Sequence, residues 1–178
     1  MLYEGNGDHE VDDIYSGAVH LIENGIAQQG KIALIGSSSG GTTVLNALRK
    51  YPGVFQAAIC SYGIGDLIAD AQQTHKFEKF YHRFLIGDVE KERQKFVDRS
   101  PLFHIDEIKD PLLIFHGSED AVVHPSQSKA LYDSLVERGI PCSMTIFEQE
   151  GHGFHREETL REYYRAILTF LGHHLHLD

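Results

Sequence analysis

The chain has 178 residues, 42% hydrophobic, 24% charged and 10% aromatic, with 17 Gly and 5 Pro. This is the usage of one folded domain, not of a disordered, collagen-like or coiled-coil chain. Lys plus Arg is 16 and Asp plus Glu is 26, a net charge of −10, which repels polyanions and argues against nucleic acid as a partner. With no run of about 18 apolar residues and no basic-then-apolar leader, a cytoplasmic protein without a membrane span or signal peptide is expected.

Val11, Ile14, Ala18, Leu21 and Ile22 recur at helical spacing, and Asn24-Gly25 closes that helix. Lys31 to Ile35 is a short run with apolar residues on both faces, as a buried parallel strand requires. A helix follows from about Gly40 to Tyr51 and stops at Pro52-Gly53. Ala57 to Ser61 reads as a second buried strand. The stretch from Asp66 to Ser100 is mostly helical, with Phe77, Phe80, Tyr81, Phe84 and Leu85 as an aromatic stripe that we read as core packing. Pro111 to His116 is the third strand, Ser126 to Arg138 a helix ended by Gly139, Ser143 to Phe147 the fourth strand, and Leu160 to Leu171 the last helix. Strands separated by helices predict βαβ units and a mostly parallel sheet flanked by helices. Cys60 and Cys142 lack CxxC spacing and sit in strand-like runs, so buried free thiols are expected and not a disulfide or zinc site. His173, His174 and His176 read as a solvated tail.

Gly36-Ser37-Ser38-Ser39-Gly40 fits G-x-S-x-G between a predicted strand and a predicted helix, the context a nucleophile elbow needs. Only Ser38 has Gly at both −2 and +2, and glycines there relieve crowding in a tight turn. The P-loop and Rossmann patterns are absent. A serine hydroxyl needs a base, and the base an orienting carboxylate. Glu119 and Asp120 follow the third strand, and His152, between Gly151 and Gly153, follows the fourth. That is the chain order serine, acid, histidine, with each candidate at a strand's C-terminal end. The residues themselves leave Glu119 and Asp120 as rivals.

These residues resemble the catalytic domain of the prolyl oligopeptidase family of serine peptidases, particularly its acylaminoacyl-peptidase-like members, which have the α/β-hydrolase fold. The resemblance runs from Asp12-Asp13 through Gly36 to Gly41, Ser100-Pro101, Pro111 to Asp120, Val123, Gln127-Ser128 and Glu150 to Phe154. It implies Ser38 as nucleophile, Asp120 as acid and His152 as base. It selects Asp120 over Glu119 because the family's acid is the third residue after the Gly of its His-Gly motif. It also implies the backbone N–H of Ser39 as one of two oxyanion donors, short peptide or acyl-ester substrates, and no metal or organic cofactor. His124-Pro125 departs from the family's Val-Pro and predicts a local loop change.

Family members carry several strands before the elbow strand, with a His-Gly-Gly loop that supplies an oxyanion donor. Here 35 residues precede Gly36, and they hold one predicted helix. The chain thus resembles the second part of a catalytic domain, a partial α/β-hydrolase lacking the first strands, as one domain over residues 1–178. Lys31 to Ile35 is then expected at an open sheet edge, which invites a homo-oligomer or a separately encoded first half. The activity expected is that of a serine hydrolase. The alternatives are a carboxylesterase or thioesterase, or a non-catalytic fragment that serves as an interaction module.

Overall fold

The computed structural model describes residues 8–73 and 81–177. In chain order the elements are α1 (His9–Glu23), β1 (Ala33–Ser37), α2 (Ser39–Lys50), β2 (Ala57–Ser61), α3 (Leu67–Gln73), α4 (Tyr81–Leu85), α5 (Arg93–Arg99), a 3₁₀ segment (Pro101–Glu107), β3 (Leu112–Gly117), α6 (Ser126–Glu137), β4 (Cys142–Phe147) and α7 (Glu157–His174). The four strands form one sheet in the order β1-β2-β3-β4, every pair parallel. All strands therefore end at the same rim, which gathers the segments that follow them.

The inner strands β2 and β3 are buried along their whole length, so both faces are apolar, as the sequence predicts. Alternation sorts the side chains. Ala58, Cys60, Leu112 and Ile114 join Val11, Leu45, Leu48 and Leu131 in the core beneath α1, α2 and α6. Ile59, Leu113 and Phe115 face the other way, onto Phe147, Tyr163 and Ile167. Phe115 stacks on Phe147 with ring centroids 5.6 Å apart and meets Tyr163 at 4.7 Å. Burying each such side chain stabilises the fold by about 1.5–3 kcal/mol before chain entropy is counted. Lys31 Nζ donates to the carbonyls of Leu175 and His176, tying the entry to β1 to the end of α7.

Three expectations change. The first strand starts and ends two residues later than the apolar run suggests, because Gly36 and Ser37 continue the ladder against Cys60 and Ser61. As an edge strand it is only partly covered, with Ile35 59% exposed. The last helix is longer, with Glu157 and Glu158 in its N-terminal turn, where acidic side chains suit the helix dipole, and it runs on through His173 and His174. Those two histidines are therefore helical, and His174 is half-buried against Phe170 at 4.4 Å. Burial, then His173 and His176, lowers the pKa of His174.

The segment between β2 and β3 folds as short helices around Leu67, Ile68, Leu85, Ile86 and Phe96. Of the expected aromatic stripe, Leu85 is buried and Phe84 is 59% exposed, while Phe77, Phe80 and the side chain of Tyr81 lie outside the described residues. Among the described residues, no helix is long and apolar enough to cross a membrane.

Candidate active site

β1 runs directly into Ser38, which adopts φ +55° and ψ −125° before α2 begins at Ser39. L-residues rarely hold this conformation, and it costs on the order of 1–3 kcal/mol. The turn is held by Ser38 N–H donating to Ser61 O at 3.0 Å and by Thr42 N–H donating to Ser38 O at 3.1 Å. A Cβ on Gly36 would lie 2.3 Å from Gly40 O and 2.9 Å from Val44 Cγ2, so that glycine is required. The second glycine differs from expectation. A Cβ on Gly40 meets nothing within 4 Å among the described residues, whereas one on Gly41 would sit 2.9 Å from Gly63 Cα. Close packing of α2 on the β2 end, not the turn itself, is what excludes a side chain there.

The three sequence-predicted side chains meet. His152 Nε2 lies 2.8 Å from Ser38 Oγ, and His152 Nδ1 lies 2.8 Å from Asp120 Oδ2. An ionised carboxylate only accepts, so Nδ1 carries the proton and donates it, leaving Nε2 to accept from the serine hydroxyl. The Asp120 side chain is fully covered. Its Oδ1 accepts the N–H groups of Val122 and Val123, each at 2.9 Å. Burial alone would raise its pKa, but hydrogen bonds from His116, His152, Val123 and Val122 outweigh burial and hold it well below the usual carboxylate range. Glu119, the rival acid, is exposed, and its backbone N–H goes to Glu150 O at 2.9 Å.

The histidine loop is built on local backbone chemistry. Gly151 and Gly153 form an antiparallel bridge, and Gly153 has φ +124°, a region open to glycine. A Cβ on Gly117, at the end of β3, would lie 2.3 Å from Glu150 O, so the loop crosses that strand in direct contact. Glu150 is 2% exposed and accepts the N–H groups of His155 and Arg156, each at 3.0 Å. Burial pushes its carboxyl up, and the bonds from Arg156, His155 and Thr159 more than offset that, so its pKa is lowered.

Ser39 opens α2, where the first N–H groups have no intrahelical acceptor. His124 closes its loop locally, Nδ1 lying 2.8 Å from Ser126 Oγ and 3.2 Å from Ser126 N. Among the described residues, no group of three or more His, Cys, Asp and Glu side chains could hold a metal ion. Both cysteines are free, and burial pushes each thiol up to about 12.

Sequence reading missed Tyr62. It follows β2 with φ +41°, and its ring lies 4.7 Å from that of His152 and 5.5 Å from that of Phe154. The rule that places functional groups after strand ends applies to it as much as to Asp120. Its segment is pinned by Thr42 Oγ1, which accepts from Ile64 N–H at 2.9 Å, and by Gln127 Oε1, which accepts from the N–H groups of Gly65 and Asp66.

The model of the prolyl oligopeptidase family matches residues 1–178. A dipeptidyl peptidase family member 6 of Caenorhabditis elegans is 30% identical over 165 residues, covering 89% of this chain and 22% of that protein. A puromycin-hydrolyzing peptidase of Mycobacterium tuberculosis superposes with a TM-score of 0.96 at 36% identity, covering 99% of this chain and 27% of that one. A puromycin hydrolase structure gives a TM-score of 0.95 at 32% identity, over 99% of this chain and 27% of the other. The chain thus spans about a quarter of the length of these relatives.

Proposed function

This chain belongs to the prolyl oligopeptidase family, and from that premise we propose that it is a serine hydrolase of the peptidase type, acting on short peptide or acyl bonds. The observation that carries the reading is one imidazole, His152, bridging the Ser38 hydroxyl and the Asp120 carboxylate at 2.8 Å on each side.

In this mechanism Ser38 Oγ attacks the scissile carbonyl carbon as its proton passes to His152 Nε2. The carbonyl oxygen becomes an oxyanion, with Ser39 N–H as one donor. The tetrahedral species collapses, the leaving group takes the proton from Nε2, and an acyl-serine remains. Water then repeats the steps, giving its proton to His152 and releasing the acid. Asp120 holds the imidazole in the Nδ1–H tautomer and balances the imidazolium charge. Its depressed pKa supports this role, since the group stays anionic throughout. The chemistry needs no metal or organic cofactor.

A fluorophosphonate probe tests the reading. Ser38 labels covalently, and Ser38→Ala does not; a wild-type chain that folds but never labels would overturn it. Initial rates on acyl-peptide anilides, puromycin and simple esters then separate a peptidase from a carboxylesterase or thioesterase. A peptidase retains amide turnover, whereas the rival activity is confined to esters.

A further inference from the structure

Among the described residues, the triad leaves one buried histidine without a task. His116 lies in β3, is fully buried, and has both ring nitrogens engaged. Nε2 is 2.9 Å from Val123 O and 3.3 Å from Asp120 Oδ2. A carbonyl and a carboxylate can only accept, so Nε2 carries a proton directed between them. Nδ1 is 2.7 Å from Ser128 Oγ on α6. Among the described residues Ser128 Oγ has no other hydrogen-bond partner, so its hydroxyl donates to Nδ1 and every proton in the chain has an acceptor.

Asp120 Oδ2 therefore meets two imidazoles, and they differ in kind. His152 is on a loop, with its side chain 21% exposed; His116 is on an inner strand with none. The other groups around the pair are few. Tyr62, after β2, packs on His152 and lies near-perpendicular to His116, with ring centroids 6.4 Å apart. Glu150, beside the histidine loop, turns its carboxylate to the N–H groups of His155 and Arg156. Glu119 is exposed. No other charged group competes for Asp120 Oδ2 among the described residues.

Resting on the hydrolase reading, we propose that His116 is a positioning residue of the triad: with Ser128 fixing its far nitrogen, its Nε2–H holds Asp120 Oδ2 in line with His152 Nδ1. A carboxylate with one donor fewer rotates more freely and binds a proton at higher pH.

Two substitutions separate this from simple packing. His116→Gln keeps an N–H donor near the Nε2 position; His116→Asn keeps polarity near Nδ1 but withdraws the donor from Asp120. In His116→Asn the fluorophosphonate labelling rate falls about 10- to 100-fold, as expected for a misaligned reacting group. His116→Gln restores the rate. The Asp120 carboxyl resonance, followed by NMR during acid titration, shows an upward shift in His116→Asn and not in His116→Gln. That readout does not need an active enzyme, so a chain that never labels would defeat the hydrolase reading while the resonance still decides the role of His116. If the Asn variant titrates and labels like wild type, His116 only fills space and the proposal is wrong. Should neither variant fold, the wild-type imidazole spectrum decides: His116 as the Nε2–H tautomer supports it, and as the Nδ1–H tautomer overturns it.

Discussion

Asp120 lies where two opposing effects meet, and the outcome sets how the protein responds to acid. Enclosure disfavours its charge, but His116, His152 and two backbone N–H groups favour it more strongly, so its pKa is lowered. A group with a folded value below its unfolded one adds stability that is complete above the unfolded aspartate value, about 3.9. That stability drains as pH falls through the folded value. Asp120→Asn removes the term. Urea unfolding followed from neutral pH downward should then give a flatter acid limb than wild type. The labelling rate of the same variant should fall by about 10⁴, because an amide can stabilise the wrong imidazole tautomer. Both effects have one cause, a carboxylate held charged and still. Ser38 adds the opposite kind of contribution, since its φ of +55° is a local cost that the surrounding turn must offset.

At the scale of elements, the loop between β4 and α7 is where fold and site depend on each other most. Glu150 gathers the N–H groups of His155 and Arg156 just before α7 starts, doing for that helix entry what a capping side chain does elsewhere. Glu150→Gln retains one acceptor oxygen and brings an NH₂ against a backbone N–H. It should lower stability by about 1–3 kcal/mol, read by thermal unfolding, with slower labelling of Ser38 as the His152 loop loosens. Very little of this support was legible in the sequence. β2 and β3 could be read almost to the residue because buried parallel strands are apolar on both faces. Ser38 and His152 could be read because the chemistry restricts residue type, order and strand-end placement, whereas Asp120 was separated from Glu119 only by the resemblance to the family. Gly36 and Ser37 hide the end of β1, having no apolar signal. Glu150, Tyr62 and His116 gain their roles from loops that cross in space, and no spacing along the chain encodes a crossing. The run from Asp66 to Ser100 reads as mostly helical, and its described residues are, but the helices are short and pack on one another around Phe96, so the periodicity does not mark their ends.

For the whole molecule, β1 forms one edge of the described sheet. Among the described residues β1 pairs only with β2, and Ile35 projects 59% exposed from it. Unpaired strand N–H and C=O groups beside an exposed apolar side chain are a template for another strand, and we propose a second copy of the chain as that strand. Sedimentation at micromolar concentration should reveal a dimer that Ile35→Lys shifts to monomer; a monomer at every concentration would rule this out. The opposite edge poses a question of reach. Neighbouring strands lie about 4.8 Å apart, so the ends of β1 and β4 are separated by roughly 14 Å. No imidazole spans that gap, and the chain must carry His152 back across the rim before the ring can touch Ser38. Gly117 is the stepping stone for this return, its missing methyl leaving room for the carbonyls of Glu150 and Gly151. One hydrogen atom in place of a carbon, on a strand that supplies no reacting group, thus decides whether the two outermost strands share a single centre or hold its halves apart.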